Sequence, residues 1–217
     1  MLNYAFNVCL LGDSGVGKTS LCNFLVNNFF RSYTESTIGI DFGSKSYELK
    51  HFDEKLNLKW LIWDTAGQEK FRCLINSYVR HGTVYFILFD TKNRVSFNNI
   101  NYWYNFILEN CSNDKFIYLI GNKIDKFDRQ IKDKEAIEKS KQLNIKYVSM
   151  SIKENINVKF LIDMVNNDIS NLIFDNDIDE QYKRNIFIKN LDKKVINLNN
   201  IKVINEINEN NKNKCCN

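Results

Sequence analysis

Residues 6–19 read Phe6-Asn-Val-Cys-Leu-Leu11-Gly12-Asp-Ser-Gly-Val-Gly17-Lys18-Thr19, and this stretch decides the fold. Its first six residues are apolar enough for a buried strand. The next eight fit the pattern GxxxxGK[ST], a turn that leads from a strand into a helix and cradles phosphate. The chain has eight glycines, and Gly12, Gly15 and Gly17 crowd into this one loop. Lacking a Cβ, they let backbone N–H groups turn inward around phosphate oxygens. The helix start adds a favourable dipole. Ser14, Gly15, Val16, Gly17, Lys18, Thr19 and Ser20 are the expected cradle. Lys18 brings a point charge to the β- and γ-phosphates, and the Thr19 hydroxyl is a ligand for Mg²⁺.

Working outward, strand and helix signals alternate. Strands are predicted at 6–11, 41–49, 56–63, 84–89, 116–120 and 145–148. Helices are predicted at 18–28, 96–109, 133–143 and 155–173. Val84–Phe89 is a continuous apolar run, as a strand buried on both faces requires. The alternation predicts an α/β fold, a mostly parallel six-stranded sheet with helices on both faces. Ligands of such sheets bind at the C-terminal ends of the strands.

Two further motifs fall at those ends. Asp64-Thr-Ala-Gly67-Gln68 follows the strand Leu58–Trp63. An acid there can hold Mg²⁺ through water, the Gly67 N–H can reach a γ-phosphate, and Gln68 can orient an attacking water. Asn122-Lys123-Ile-Asp125 follows Phe116–Ile120. A carboxylate accepts two hydrogen bonds from guanine, at N1–H and the 2-amino group. Adenine offers neither and would leave a buried acceptor unpaired. The motif therefore selects GTP over ATP. Ser151-Ile152-Lys153, after the last strand, is placed to buttress the base.

Composition sets the remaining bounds. No run of about 18 apolar residues is present, so nothing is expected to span a bilayer. The N-terminal residues lack the pattern of a secretory signal, and Leu2 stands where myristoylation needs glycine. Cys9, Cys22, Cys73 and Cys111 are scattered and read as reduced, mostly core residues. Residues 181–217 carry a net charge of +5 and the rest −1. The body has no basic stripe, so no nucleic acid partner is expected. From about 175 the apolar residues lose their period and asparagine becomes dense. A flexible basic tail is expected over 175–217, with room to dock locally, beyond a body of 1–174.

With Lys18-Thr19, Asp64–Gln68 and Asn122–Asp125 in this order, the chain resembles the Ras superfamily of small GTPases, and within it the Rab family. The likeness covers roughly 5–173. Its specific marks are Thr37-Ile-Gly-Ile-Asp-Phe42, Leu61–Arg72, Ser77-Tyr78 and the terminal cysteine pair. The resemblance implies the small G-protein version of the P-loop fold and a monomer. It implies that Lys18, Thr37 and Gln68 serve hydrolysis, and that Thr19, Thr37 and Asp64 serve Mg²⁺. Phe30 would pack on the guanine. Ile38, Gly39, Ile40, Asp41, Phe42 and Trp63 would face effectors, with 65–80 as the second switch. Loss of the γ-phosphate would release Thr37 and Gly67, and both segments would relax.

The ending Lys214-Cys215-Cys216-Asn217 is similar to the Rab double-cysteine terminus, where both thiols carry geranylgeranyl groups. One lipid binds marginally and two anchor stably. The resemblance thus implies a lipid-anchored GTP/GDP switch in vesicle trafficking, on the cytosolic face of Golgi, ER or vesicle membranes. Its implied partners are GTP-state effectors, an exchange factor, a GTPase-activating protein, a prenylation escort and a GDP-dissociation inhibitor. Four features depart from the family pattern: Lys70, the run Val79-Arg-His-Gly82, Ile152 in place of alanine, and the long tail. A branched side chain at Ile152 predicts weaker base packing and faster nucleotide release. Two other classes stay open. A non-hydrolysing GTP-loaded scaffold is opposed by Gln68, and a P-loop nucleotide kinase by Asn122–Asp125.

Overall fold

In the computed structural model the described residues are 1–30, 39–51, 54–65, 79–111, 115–175, 177–178, 183 and 187–189. Six strands form one sheet: β1 (Leu2–Leu11), β2 (Ile40–His51), β3 (Glu54–Thr65), β4 (Val84–Asp90), β5 (Phe116–Asn122) and β6 (Lys146–Ser149). Their order is β2-β3-β1-β4-β5-β6. The β2–β3 hairpin is antiparallel, and every other neighbour on this path is parallel. The helices are α1 (Lys18–Asn27), α2 (Arg94–Asn98), α3 (Ile100–Asn110), α4 (Asp133–Gln142) and α5 (Val158–Phe174). The α/β, mostly parallel architecture expected from the sequence is the one found. No helix among the described residues is long and apolar enough to cross a membrane.

Alternation along the strands builds two cores. Phe6, Val8 and Leu10 of β1 join Leu56, Leu58, Trp60 and Ile62 of β3 on one face, under α1 and α5. Cys9 and Leu11 join Tyr85, Ile87 and Phe89 on the other, under α2, α3 and α4. Burial of both faces explains the unbroken apolar run of β4. One buried polar contact ties the layers: Trp60 Nε1 donates to Asn166 Oδ1 of α5 at 2.9 Å.

Three elements differ from the expectation. The helix predicted at 96–109 is two helices that meet at Asn99. Asn93 caps the first, its side chain accepting from the N–H groups of Val95 and Ser96. The last helix starts at Val158 rather than 155, because 151–156 closes a tight turn through a bridge from Ser151 to Ile156.

The third difference is a seventh strand, β7 (Ile188–Lys189), from the stretch expected to be tail. Pairing of β4 with β1 begins only at Val8, which leaves the edge of β1 before it open on that side. β7 fills the gap antiparallel, with Ala5 against Ile188 and Tyr4 against Lys189. Phe187 enters the core beside it, its ring 5.3 Å from Tyr4 and 6.3 Å from Phe6. Lys183 is buried and donates to the Asp175 carbonyl at 2.6 Å, a cation at the C-terminal end of α5.

Candidate functional site: a phosphate loop locked to a base loop

Strands β1, β3, β4 and β5 end side by side, and the segments that follow β1, β4 and β5 meet. The loop after β1 runs from Gly12 to Gly17. Gly12 has φ +137°, and a Cβ there would lie 2.3 Å from the Leu88 carbonyl oxygen. Gly17 has φ +107°, and its Cβ would strike Asn122 Nδ2 at 2.4 Å. Both positions demand glycine for conformation and for space. Val16 is buried, whereas Ser14 and Gly15 are exposed at the rim and Thr19 and Ser20 half-buried on the first turn of α1.

Lys18 is buried, and its ammonium donates to the carbonyl oxygens of Gly12 at 2.8 Å and Asp13 at 2.7 Å. Burial pushes its pKa down to about 8, against the opposing charges of Asp64 and Asp13. The loop thus curls around its own lysine. Asp64 is buried at the end of β3, in register with Leu10 of β1 and Asp41 of β2. Thr65 fixes that end by donating its hydroxyl to the Leu10 carbonyl at 2.6 Å.

The loop after β5 is bound to the first. Asn122 Nδ2 donates to the Val16 carbonyl at 2.9 Å, and Asn122 Oδ1 accepts from the Ile152 N–H at 3.3 Å. Lys123 sits at φ +69° and donates to the Gly15 carbonyl at 2.8 Å while pairing with Asp90 at 2.7 Å. Asp125 Oδ1 accepts from the Ser151 hydroxyl at 2.7 Å. Phosphate loop, base loop and the Ser151 turn therefore form one hydrogen-bonded body. Ile152 turns its side chain into the core, 1% exposed. Its Cδ1 lies 3.5 Å from where a Gly17 Cβ would be. Lys153 is exposed and pairs with Glu154. Phe30 is half-buried and packs on the core that holds Val16 and Leu21.

Of the expected effector-facing residues, Gly39 has φ +85°, and Ile40, Asp41 and Phe42 pair with Thr65, Asp64 and Trp63. Phe42 is 50% exposed and its ring lies 4.9 Å from that of Trp63. Thr37, Ile38, Gly67, Gln68, Lys70, Cys73, Cys215 and Cys216 lie outside the described residues.

The sequence reading missed several members. Asp13, a variable position of the loop pattern, accepts from Asn99 Nδ2 at 2.7 Å and from Trp103 Nε1 at 2.9 Å, which braces the loop on α3. No pattern in the sequence pointed to this. Asp90 was findable, since it is an acid at a strand's C-terminal end, the cue that singled out Asp64. Among the described residues no cluster of three or more His, Cys, Asp or Glu could hold a metal. A hydroxyl at Thr19 with a buried carboxylate at Asp64 still suits Mg²⁺. That ion takes few protein oxygens and fills its sphere with water and phosphate.

The Ras family model matches residues 7–171. A Dictyostelium discoideum relative, Ras-related protein Rab-11C, is 35% identical over 171 residues, covering 78% of this chain and 75% of its own. The chain belongs to the Ras family, as a Rab-like small GTPase, and with membership comes GTP hydrolase activity.

Proposed function

We propose that the protein is a membrane-anchored Rab-like switch that regulates vesicle trafficking by recruiting effectors in its GTP state. The observation that carries this is the lock between the phosphate loop and the base loop, Asn122 to Val16 and Lys123 to Gly15. One rigid body grips both ends of a guanine nucleotide. Asp125, oriented by Ser151, accepts from the base. Lys18 exchanges its carbonyl partners for β- and γ-phosphate oxygens. Thr19, Asp64 and Thr37 would hold Mg²⁺, which supplies charge neutralisation at those oxygens when bound. Gln68 orients the attacking water. The site is mostly a cradle for the nucleotide, and slow intrinsic turnover is the expectation. An activating partner that inserts an arginine adds about 10³–10⁵ in rate.

Exposed Phe42 and half-buried Trp63 form an apolar pair next to Asp64, suited to a partner that reads the γ-phosphate state. Geranylgeranyl groups on Cys215 and Cys216 hold the body on the cytosolic face of an endomembrane. The basic tail expected over 175–217 is docked on the body at residues 187–189, and the residues beyond serve as the tether. An exchange factor, a prenylation escort and a GDP-dissociation inhibitor complete the cycle.

Single-turnover hydrolysis of bound GTP tests the reading. The native chain in Mg²⁺ should convert GTP to GDP, and Gln68→Leu should slow it at least tenfold, about 1.4 kcal/mol of barrier. Tight GTP binding with no turnover in either protein would instead establish the non-hydrolysing scaffold.

A further inference from the structure

Trp63 joins two parts of the molecule that the chain keeps far apart. On its outer side its ring meets exposed Phe42. On its inner side the indole Nε1 donates to Asn7 Oδ1 at 2.9 Å. The other end of the same amide, Asn7 Nδ2, donates to the His81 carbonyl at 2.9 Å. The Asn7 backbone carbonyl accepts from the Thr83 N–H at 3.0 Å. Asn7 sits on β1 in register with Leu61 of β3. Its partners lie 56 and 74 residues away, one on β3 and one just past the segment 65–80 that is read as the second switch.

The chemistry fixes this orientation. An indole N–H only donates and a backbone carbonyl only accepts, so the amide oxygen must face Trp63 and the nitrogen His81. Both ends belong to one rigid plane. A displacement of His81 that turns the amide also turns the acceptor away from Trp63. Asn7 lies outside the nucleotide site, and none of its bonds goes to a motif residue that holds phosphate, metal or base.

We propose that Asn7 is a positioning residue for the Phe42–Trp63 surface. It couples the pose of Trp63 to the segment 79–82, so a partner that buries apolar side chains on Phe42 and Trp63 senses the second switch as well as the first. This rests on the reading of that pair as the partner surface of a nucleotide switch.

The indole N–H resonances of the full chain test it. The protein has three tryptophans. Trp60 donates to Asn166, Trp103 to Asp13 and Trp63 to Asn7, so each signal has its own environment. In the GDP-loaded protein Asn7→Leu should displace the Trp63 signal and leave those of Trp60 and Trp103 in place. The two unmoved signals show that the variant is folded. Loading a non-hydrolysable GTP analogue should shift the Trp63 signal of the native chain. Asn7→Asp keeps the indole acceptor but loses the donor to His81, and should abolish most of that shift. A Trp63 signal that ignores Asn7→Leu, or a shift that survives Asn7→Asp, overturns the proposal. Failure to load either nucleotide would count against the proposed function instead.

Discussion

Asn122 Nδ2 reaches out of β5 to hold the Val16 carbonyl at 2.9 Å, so a residue of the base-reading motif also shapes the phosphate loop. Its Oδ1 holds the Ile152 N–H, and both contacts are buried. Asn122→Ala leaves two buried groups unsatisfied, at about 1–3 kcal/mol each. Binding of inorganic pyrophosphate should weaken together with GDP, by about tenfold or more. Asp125 bonds to Ser151 and not to the phosphate loop. Asp125→Ala should therefore weaken GDP and spare pyrophosphate. Titration calorimetry with both ligands decides the matter, and equal losses for the two variants would break the division of labour.

Lys18 gives the site a pH signature. Burial lowers its pKa to about 8 in the nucleotide-free protein. Phosphate oxygens restore the charged form. Between pH 8 and the ordinary lysine value, binding must therefore take up a proton, and affinity must fall as pH rises. At pH 8.5 GDP binding should take up a measurable fraction of a proton. Calorimetry in two buffers of different ionisation heat measures it directly. Lys18→Arg, whose side chain does not titrate, should show none. For folding of the nucleotide-free protein the sign is opposite. The unfolded chain binds the proton more tightly, so this group adds stability as pH rises from about 8.

Ile152 fills the core behind Gly17 and is 1% exposed, which argues for a supporting role against the weaker base packing that its sequence predicts. Ile152→Ala opens a cavity under the joint of the two loops and should cost about 2–4 kcal/mol in denaturant melts. GDP should leave faster from this variant, by a fluorescent-nucleotide release assay. Slower release would restore the account of weaker base packing.

How much of this was legible in the sequence follows from where each signal is written. Gly12–Thr19 and Asn122–Asp125 could be read because each local pattern implies its own turn and ligand. The alternation that predicted the parallel sheet was equally local. Asp13 with Trp103, and Asn7 with Trp63 and His81, were not legible. Those pairs are 90, 56 and 74 residues apart and exist only once β1 has found its neighbours. The break at Asn99 escaped because the apolar stripe runs on across it. The docking of Phe187 escaped for a related reason. One phenylalanine in an asparagine-rich stretch has no period, and the gap it fills is set by the late start of β4 against β1.

That gap supplies the last prediction. Phe187 is 2% exposed between Tyr4 and Phe6, and β7 covers an otherwise open strand edge. Burying a phenylalanine contributes about 1.5–3 kcal/mol. An uncovered edge is also a template for pairing with other chains. In the full-length protein Phe187→Ala should lower stability by a similar amount and speed amide exchange in the peptide holding Tyr4 and Ala5. Exchange in β4 and β5 should stay as in the native chain. β7 is a short strap that runs antiparallel to β1, toward Leu2 and away from Gly12. Native exchange at Tyr4 and Ala5 in that variant would show that the strap was never part of the fold.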